Sequence, residues 1–568
     1  MNILLTPARI GPAEIPNRIV MPPMTTRGSD EDGHVTDQTV AYYMARVRGG
    51  VGLITVEMAS PEKAGRHRRR ELGIYDDKFL PGLTRLVGEI HRGGAKASIQ
   101  LGHGGGHTRI DICGETPIAP SAIPHPVYET TFEVIVPQAM SRERIAQTTA
   151  AYAAAARRAQ QAGFDCVEVH AAHGYLISQF HAPFENRRTD EYGGSLANRA
   201  RFGLDVLRAV KAAAPSLGVI YRVSVDDFFD GGVTYDEGRQ LAIWAAEAGA
   251  DAVHVTAGHY RSKPTAHRMI PPMAEPDAPF LGFAADIKRA IKVPVIAVGR
   301  LGDPDTATAA VAQGKADFIA LGRTLVAEPQ WVEKIRRGEP IRRCLACNTC
   351  IDGMRGGAGI SCVVNGAAGR ESLFANPRPP HGERIAVIGA GPAGLTYASL
   401  VADGNAVTVF EKAKRAGGAF RYAGFAPMFQ DVEANPASLA RTVAGLVAAC
   451  EYKNVTFRLG TDVLADPALL APFDRIVVAT GAAYPLGLGP FAMHLLEHGA
   501  GHWPVVSQIM TKPAVRAWFY DRARRATGDR FAKLARPGQI VIVIGDAAKP
   551  GKSKEAIASA FEAALLNK

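Results

Sequence analysis

Four of the seven cysteines in this 568-residue chain, Cys344, Cys347, Cys350 and Cys362, stand within nineteen residues of one another. The first three are each separated by two residues, and eleven more (351–361) precede Cys362. Thiolates so spaced can wrap one face of an iron-sulfur cube while a fourth closes it from a returning loop. Structural zinc is the alternative. Zinc ordinarily takes two separated pairs, so three clustered plus one distant favours a 4Fe-4S cluster. Gly353, Gly356, Gly357 and Gly359 suit a tight return loop. Cys113, Cys166 and Cys450 are scattered and read as small buried hydrophobes.

Three further sets carry chemistry. In His170-Ala-Ala-His173-Gly-Tyr175, two imidazoles can donate hydrogen bonds to a substrate oxygen while the phenol delivers a proton. One histidine there would be packing; two with a tyrosine point to function. Gly299-Arg300 and Gly322-Arg323 each join glycine-freed backbone amides to a guanidinium, which makes a phosphate site, and their repetition argues against two plain surface arginines. Gly389-Ala-Gly391-Pro-Ala-Gly394 follows an apolar run and opens a helical one. Glu411, seventeen residues beyond Gly394, is placed for a ribose hydroxyl, with the diphosphate on the helix N-terminus.

These groups need a frame. Eight β-branched apolar runs begin at Ile19, Leu53, Ala97, Cys166, Val219, Ala252, Pro294 and Phe318, with helical patterns such as Arg144 to Ala162 and Tyr235 to Ala248 between them. Their continuous apolar character fits parallel strands covered on both faces, and eight of them predict an α/β fold with an N-terminal TIM barrel. Glu57, Gln100, His103, His170, His173, Arg222, Arg300 and Arg323 fall at the C-terminal ends of these runs, the catalytic face of such a barrel. A Pro-rich linker (376–382) then leads into a Rossmann-like dinucleotide-binding domain. The expected division is 1–340 for the barrel, 341–375 for the iron-sulfur segment and 376–568 for the second domain.

Composition narrows the class. With 47% hydrophobic and 21% charged residues, and no apolar run long enough to span a bilayer, a soluble protein without membrane association is expected. The start lacks a signal-peptide pattern, so a cytoplasmic location is expected. The formal charge of +10 is concentrated between Thr511 and Arg536, where eight Lys or Arg meet only Asp521 and Asp529. One short basic stretch argues against a nucleic-acid partner.

Together these residues resemble the old yellow enzyme superfamily, in its iron-sulfur branch containing 2,4-dienoyl-CoA reductase and trimethylamine dehydrogenase. The segment from His170 through QFHAPFENRRTDEYGGSLANRARF to Phe202 is highly specific to it, and the likeness covers nearly the whole chain. The resemblance implies FMN contacts from Met24, Ala59, Gln100, Arg222, Arg300 and Arg323, substrate anchoring by His170 and His173, and proton donation by Tyr175. It implies FAD or ADP in the second domain, with Asp546 after Gly545 favouring FAD, and a homo-oligomer is expected. Met24 stands where trimethylamine dehydrogenase attaches its flavin through cysteine, which implies a non-covalent flavin. His170 replaces a tyrosine of that enzyme, whereas Glu57 is similar to the amine enzymes.

Relatives insert a nicotinamide-binding domain between an ATG turn, here Ala479-Thr480-Gly481, and the late Gly545-Asp546. Only 63 residues (482–544) separate them here. Gly487-Leu-Gly489 lacks a preceding strand and does not replace it. A short basic stretch (about 482–540) with Trp518, Phe519 and Tyr520 stands instead, either a docking surface for a redox partner protein or a solvated helix face. The leading expectation is an oxidoreductase acting, in either direction, on an activated C=C bond conjugated to a carbonyl in a small-molecule substrate. Oxidative N-demethylation of a small amine or betaine is the alternative, and a non-catalytic electron carrier is a third.

Overall fold

The structure, a computed structural model, describes residues 2–126, 134–261, 265–484 and 494–566. Eight parallel strands close into a barrel: β1 (Ile19–Met21), β2 (Leu53–Ala59), β3 (Lys96–Leu101), β4 (Cys166–Ala171), β5 (Gly218–Ser224), β6 (Ala252–Thr256), β7 (Val295–Val298) and β8 (Phe318–Ala320). Closure comes from β8 pairing onto β1 through Ile319 and Ile19. Each strand falls on one of the eight apolar runs. The crossover helices start at side-chain caps: Ser141 accepts from the Arg144 amide at the head of Arg142–Gln161, and Thr234 forms a capping box with Glu237 at the head of Tyr235–Glu247.

The barrel interior changes character along its axis. Leu53, Cys166, Ile220, Ala252, Ile296 and Phe318 make an apolar plug, closed from below by Ile10 and Ile15 of a short hairpin. Because side chains on one face of a strand recur every second residue, the next inward positions on β4, β5 and β6 are Glu168, Arg222 and His254. The barrel is therefore oily at its N-terminal end and polar at the other, where His170 follows.

Five parallel strands form the second domain: β9 (Arg384–Ile388), β10 (Ala406–Glu411), β11 (Thr456–Leu459), β12 (Arg475–Val478) and β13 (Ile540–Val543), in the order β11-β10-β9-β12-β13. Among the described residues between β12 and β13 there are helices, including Pro504–Met510 and Pro513–Asp521, and a single bridge from Ala483 to Arg525. No second dinucleotide-binding sheet forms there among the described residues. Gly487-Leu-Gly489 lies outside them.

The cysteine segment ties the chain together. Leu345, Cys347, Val363 and Val364 share a core with Met273 and Ala327 of the barrel and with Phe420, Leu439 and Phe561 of the second domain. A buried ion pair fastens the segment's end, with Arg46 Nη1 lying 2.6 Å from Glu371 Oε1. Arg46 also stacks on Tyr42 and donates to the Leu325 carbonyl. Removing one partner strands a charge away from water, so Glu371→Ala should lower the unfolding free energy by about 3 kcal/mol. Denaturant unfolding reads this, and the apolar pair Arg46→Met with Glu371→Leu should recover most of the loss.

Glu57 on β2 is buried and accepts from the Thr26 amide (2.7 Å) and hydroxyl (2.5 Å). Burial pushes its carboxyl up to about 7. A carboxyl raised in the folded state favours folding while protonated, and that contribution is lost as pH rises from its unfolded value of 4.5 through about 7. Glu57→Gln should remove a pH-dependent loss on the order of 3 kcal/mol. Thermal unfolding between about pH 5 and 8 should show a flatter profile for the variant.

Candidate active site

At the polar end of the barrel a single cavity is lined by Met24, Gln100, His170, His173, Tyr175 and Arg222, and on its far wall by Gly299, Arg300, Gly322 and Arg323. Of the barrel residues named from sequence, three are not brought to this lining; Ala59 is wholly buried at the end of β2, and His103 is buried with its Nε2 3.0 Å from Glu62 Oε1. Glu57 does not reach the lining either, since its carboxylate is spent on Thr26.

The cavity's polar floor rests on Glu168. Its Oε1 accepts from Gln100 Nε2 at 2.7 Å, its Oε2 lies 2.7 Å from His254 Nδ1, and Arg222 Nη1 is 3.8 Å away. Burial alone would raise this carboxyl, but His254 and Arg222 outweigh it and hold its pKa below the ordinary value. It therefore stays charged.

His170, His173 and Tyr175 stand together, with the His170 ring 5.3 Å from His173 and 4.8 Å from Tyr175. Burial, followed by the Arg222 charge, drives both imidazoles well below their usual pKa, so they are neutral. A left-handed φ of 64° at His173 and one of 80° at Gly174 turn the chain there. His173 Nε2 lies 3.0 Å from the Thr256 hydroxyl, whereas His170 Nδ1 is buried without a protein partner. Arg222 Nε is buried and unpartnered as well. Two such nitrogens beside one cavity fit a heteroaromatic ligand that offers acceptors.

The two Gly-Arg pairs differ. Arg300 is held by Asp277 (Nη2 to Oδ1, 2.6 Å) and by the Pro272 and Glu275 carbonyls, while Gly299 keeps a φ of 109°. Arg323 donates to Asn348 Oδ1 at 2.5 Å, and a side chain at Gly322 would come 3.0 Å from Met24 Sδ. Arg323 also borders a second, small cavity lined by all four cysteines with Val326, Leu345, Val363 and Val364. The two cavities share Arg323, Cys344 and Cys350.

The cysteine loop is built to wrap. Ala346 and Asn348 adopt left-handed conformations (φ 52° and 56°), which reverse the chain between successive cysteines. The Ala346 amide donates to Cys344 Sγ, and the Thr349 hydroxyl to Cys347 Sγ. All four thiols are free. Burial, reinforced by the neighbouring sulfurs, pushes the Cys362 thiol up to about 12 and Cys350 well above its ordinary value. Their thiolates therefore require a cationic group among them. Among the described residues no three such side chains converge on one position for a single ion.

In the second domain Gly389 has a φ of 107°, and a side chain there would lie 2.4 Å from the Ala479 carbonyl oxygen. Gly394 packs equally tightly on Gly389, but a Cβ at Gly391 would meet nothing nearer than 3.9 Å, so the turn is open at its middle glycine. That is the geometry of a diphosphate cradle at the head of helix Pro392–Val401. Glu411 accepts from the Ala390 and Ala413 amides at 2.9 and 2.8 Å, bracing the turn. Asp546 pairs with Arg524 Nη1 at 2.6 Å, a partner from the basic segment that sequence reasoning did not foresee.

Other neighbours were also hidden. Tyr175 Oη lies 3.2 Å from His67 Nε2, which Arg68 Nε approaches to 2.8 Å, and His67 Nδ1 is 2.7 Å from Glu71. Tyr260, on the turn after β6, also lines the cavity. The only hint was the composition of Arg66-His67-Arg68-Arg69-Arg70-Glu71, too charged for an ordinary loop to bury.

Residues 3–341 match the family described as NADH:flavin oxidoreductase / NADH oxidase, and residues 387–431 match an NAD(P)-binding Rossmann-like domain. The chain is 37% identical to an NADH oxidase of Thermoanaerobacter brockii over 84% of this chain and 73% of the other. It is 31% identical to an N,N-dimethylglycine/sarcosine dehydrogenase of Chromohalobacter salexigens over 97% of this chain and 80% of that one. A cinnamate reductase of Clostridium sporogenes is also 31% identical, over 85% and 74%. A solved 2-naphthoyl-CoA reductase superposes with a TM-score of 0.86 at 24% identity, covering 99% of both chains, and so shares the architecture. Barrel, cavity and these likenesses agree: the chain is an oxidoreductase belonging to the NADH:flavin oxidoreductase / NADH oxidase family.

Proposed function

We propose that this protein is an FMN- and 4Fe-4S-dependent oxidoreductase acting on a C=C bond conjugated to a carbonyl. The observation that carries this reading is the wall formed by His170, His173 and Tyr175: two neutral imidazoles, one with an unpartnered nitrogen, beside a phenol. Neutral N–H donors stabilise charge developing on a carbonyl oxygen without forming a fixed ion pair with it, and the phenol supplies the proton for the adjacent carbon. FMN, when bound, supplies or accepts a hydride. Met24, Gln100 and Arg222 would hold its ring, with Ala59 behind them, and the Gly299, Arg300, Gly322 and Arg323 corner its phosphate. Cys344, Cys347, Cys350 and Cys362 would hold the cluster. Three cysteines two residues apart with a fourth on a returning loop suit a cube better than mononuclear zinc.

In this assignment the barrel spans 1–340, the cluster segment 341–375 and a FAD- or ADP-binding domain 376–568. Gly389, Gly391 and Gly394 would cradle the diphosphate, and Glu411 would meet the ribose by releasing the turn amides. Asp546 would reach a ligand only alongside Arg524. Electrons would pass to or from a partner protein. Support comes from the exposed Trp503, Val505, Ile509 and Trp518 on the basic segment, between β12 and β13, where no second dinucleotide-binding sheet forms among the described residues.

A second reading, oxidative N-demethylation of a small amino acid, is favoured by the likeness to the dimethylglycine/sarcosine dehydrogenase over nearly the whole chain. Glu57 no longer adds to it. Tyr175→Phe separates the two: turnover of an α,β-unsaturated carbonyl should fall about a hundredfold while flavin reduction proceeds at its original rate. An unchanged turnover would sink the C=C reading, and methylated amines that bleach the flavin would install the other.

The electron route has its own test. Anaerobically purified protein should contain FMN and about four irons per chain, and NAD(P)H alone should reduce its flavins slowly. Rapid reduction by NAD(P)H without added protein would remove the partner from the scheme.

A further inference from the structure

The helix that carries Cys350, Thr349–Arg355, also carries Arg355, and this residue reaches the proton-donating side of the cavity. Its guanidinium carbon lies 5.0 Å from the centroid of the Tyr260 ring. The Tyr260 and Tyr175 rings meet edge-on, with their centroids 5.8 Å apart. On the other side the Tyr175 phenol lies 3.2 Å from His67 Nε2, which Arg68 Nε approaches to 2.8 Å. Both phenols line the cavity. Met354, next to Arg355, anchors the helix to the barrel by accepting from Arg27 Nε at 2.7 Å.

Resting on the reaction proposed above, we propose that Tyr260 is the second phenol of a proton relay, reprotonating Tyr175, and that Arg355 is the residue through which the cluster-bearing helix positions it. When the Tyr175 O–H gives its proton to the substrate carbon, the bonding pair stays on the Tyr175 oxygen. The Tyr260 proton then moves to that oxygen, leaving a Tyr260 phenolate beside Arg355, which water reprotonates.

The electrostatics run downhill in this direction. Burial raises Tyr175 well above its ordinary value. For Tyr260, burial pushes up, but Arg355 and Arg68 outweigh it and hold the phenol below its ordinary value. The groups facing Tyr260 are Arg355 and Arg68, the stacked His107 at 5.2 Å, Tyr175, and Arg222 across the cavity. Cations outnumber anions in this shell, and Glu71 stands one residue further off, behind His67. The stronger acid of the pair thus feeds the weaker.

Tyr260→Phe should slow turnover of an unsaturated carbonyl at least about tenfold while leaving flavin reduction intact. Tyr260 must be protonated to act, so wild-type turnover should fall as pH rises through its ionisation. Arg355→Gln should move that alkaline limb to higher pH, and Arg355→Lys should restore it, which a merely structural role would not do. Phenolate absorbance gives a reading free of substrate: the wild-type minus Tyr260→Phe difference should show one phenol ionising below the ordinary tyrosine range, shifted upward in Arg355→Gln. Wild-type turnover and an unchanged alkaline limb in Tyr260→Phe would overturn the relay, as would an ordinary phenol at Tyr260. Should no unsaturated carbonyl be turned over although Tyr260 titrates low, the reaction reading fails and the Arg355–Tyr260–Tyr175 arrangement stands.

Discussion

One carboxylate deep in the barrel makes the polar mouth possible. Glu168 is wholly buried, and it keeps its charge because His254 and Arg222 face it and Gln100 donates to it. An isolated carboxylate at that depth would take up a proton, and an isolated Arg222 would be equally costly. Paired, they let three strands present polar side chains one layer above an apolar plug. The Arg222 charge then reaches upward, and with burial it keeps His170 and His173 neutral. The protonation state of the His170 and His173 wall thus depends on a residue buried a layer beneath it.

Much of the fold was legible because its signal is local. All eight barrel strands fall on continuous apolar runs, since covering both faces of a parallel sheet leaves no room for alternation. The Gly389-x-Gly391 turn was legible for the same reason, as its backbone geometry admits few other residues. Glu168 was not: one acid within Cys166-Val-Glu-Val-His170 carries no mark of what faces it from β3, β5 and β6. Its only signature is the period of two that places it below His170. Tyr260, Arg68 and Arg355 were hidden for a stronger reason. They come from three segments about a hundred residues or more apart, and no spacing within one segment encodes their meeting. Glu57 shows the converse error, a polar strand end read as a functional group whose hydrogen bonds close on Thr26.

The second domain shows how a short segment can stand in place of a large one. Around Arg524 the chain is knitted across the carboxyl ends of β12 and β13: Ala483 pairs with Arg525, the Thr480 and Thr527 hydroxyls meet at 2.7 Å, and Arg524 takes Asp546. These contacts satisfy strand ends that an inserted sheet would otherwise cover. They also change what Asp546 offers, because a carboxylate bound to a guanidinium is a weaker acceptor for a ribose-type hydroxyl than a free one. Sequence spacing singled out Asp546 but could not reveal a partner supplied by the segment itself.

In the proposed reaction, electron and proton chemistry would meet at the helix between Thr349 and Arg355. One end supplies Cys350 to the sulfur-lined cavity, and the other places Arg355 against Tyr260. Neutral imidazoles and a phenol pair catalyse addition or removal of hydrogen with equal facility, since a catalyst lowers the barrier in both directions. Nothing in the wall of His170, His173 and Tyr175 therefore fixes whether a C=C bond is made or consumed. Under the function proposed above, direction would belong to whatever exchanges electrons with the group held by Cys344, Cys347, Cys350 and Cys362. Under that proposal the same barrel mouth would serve a reductase or a dehydrogenase, with the electron partner rather than the histidine-tyrosine wall deciding between them.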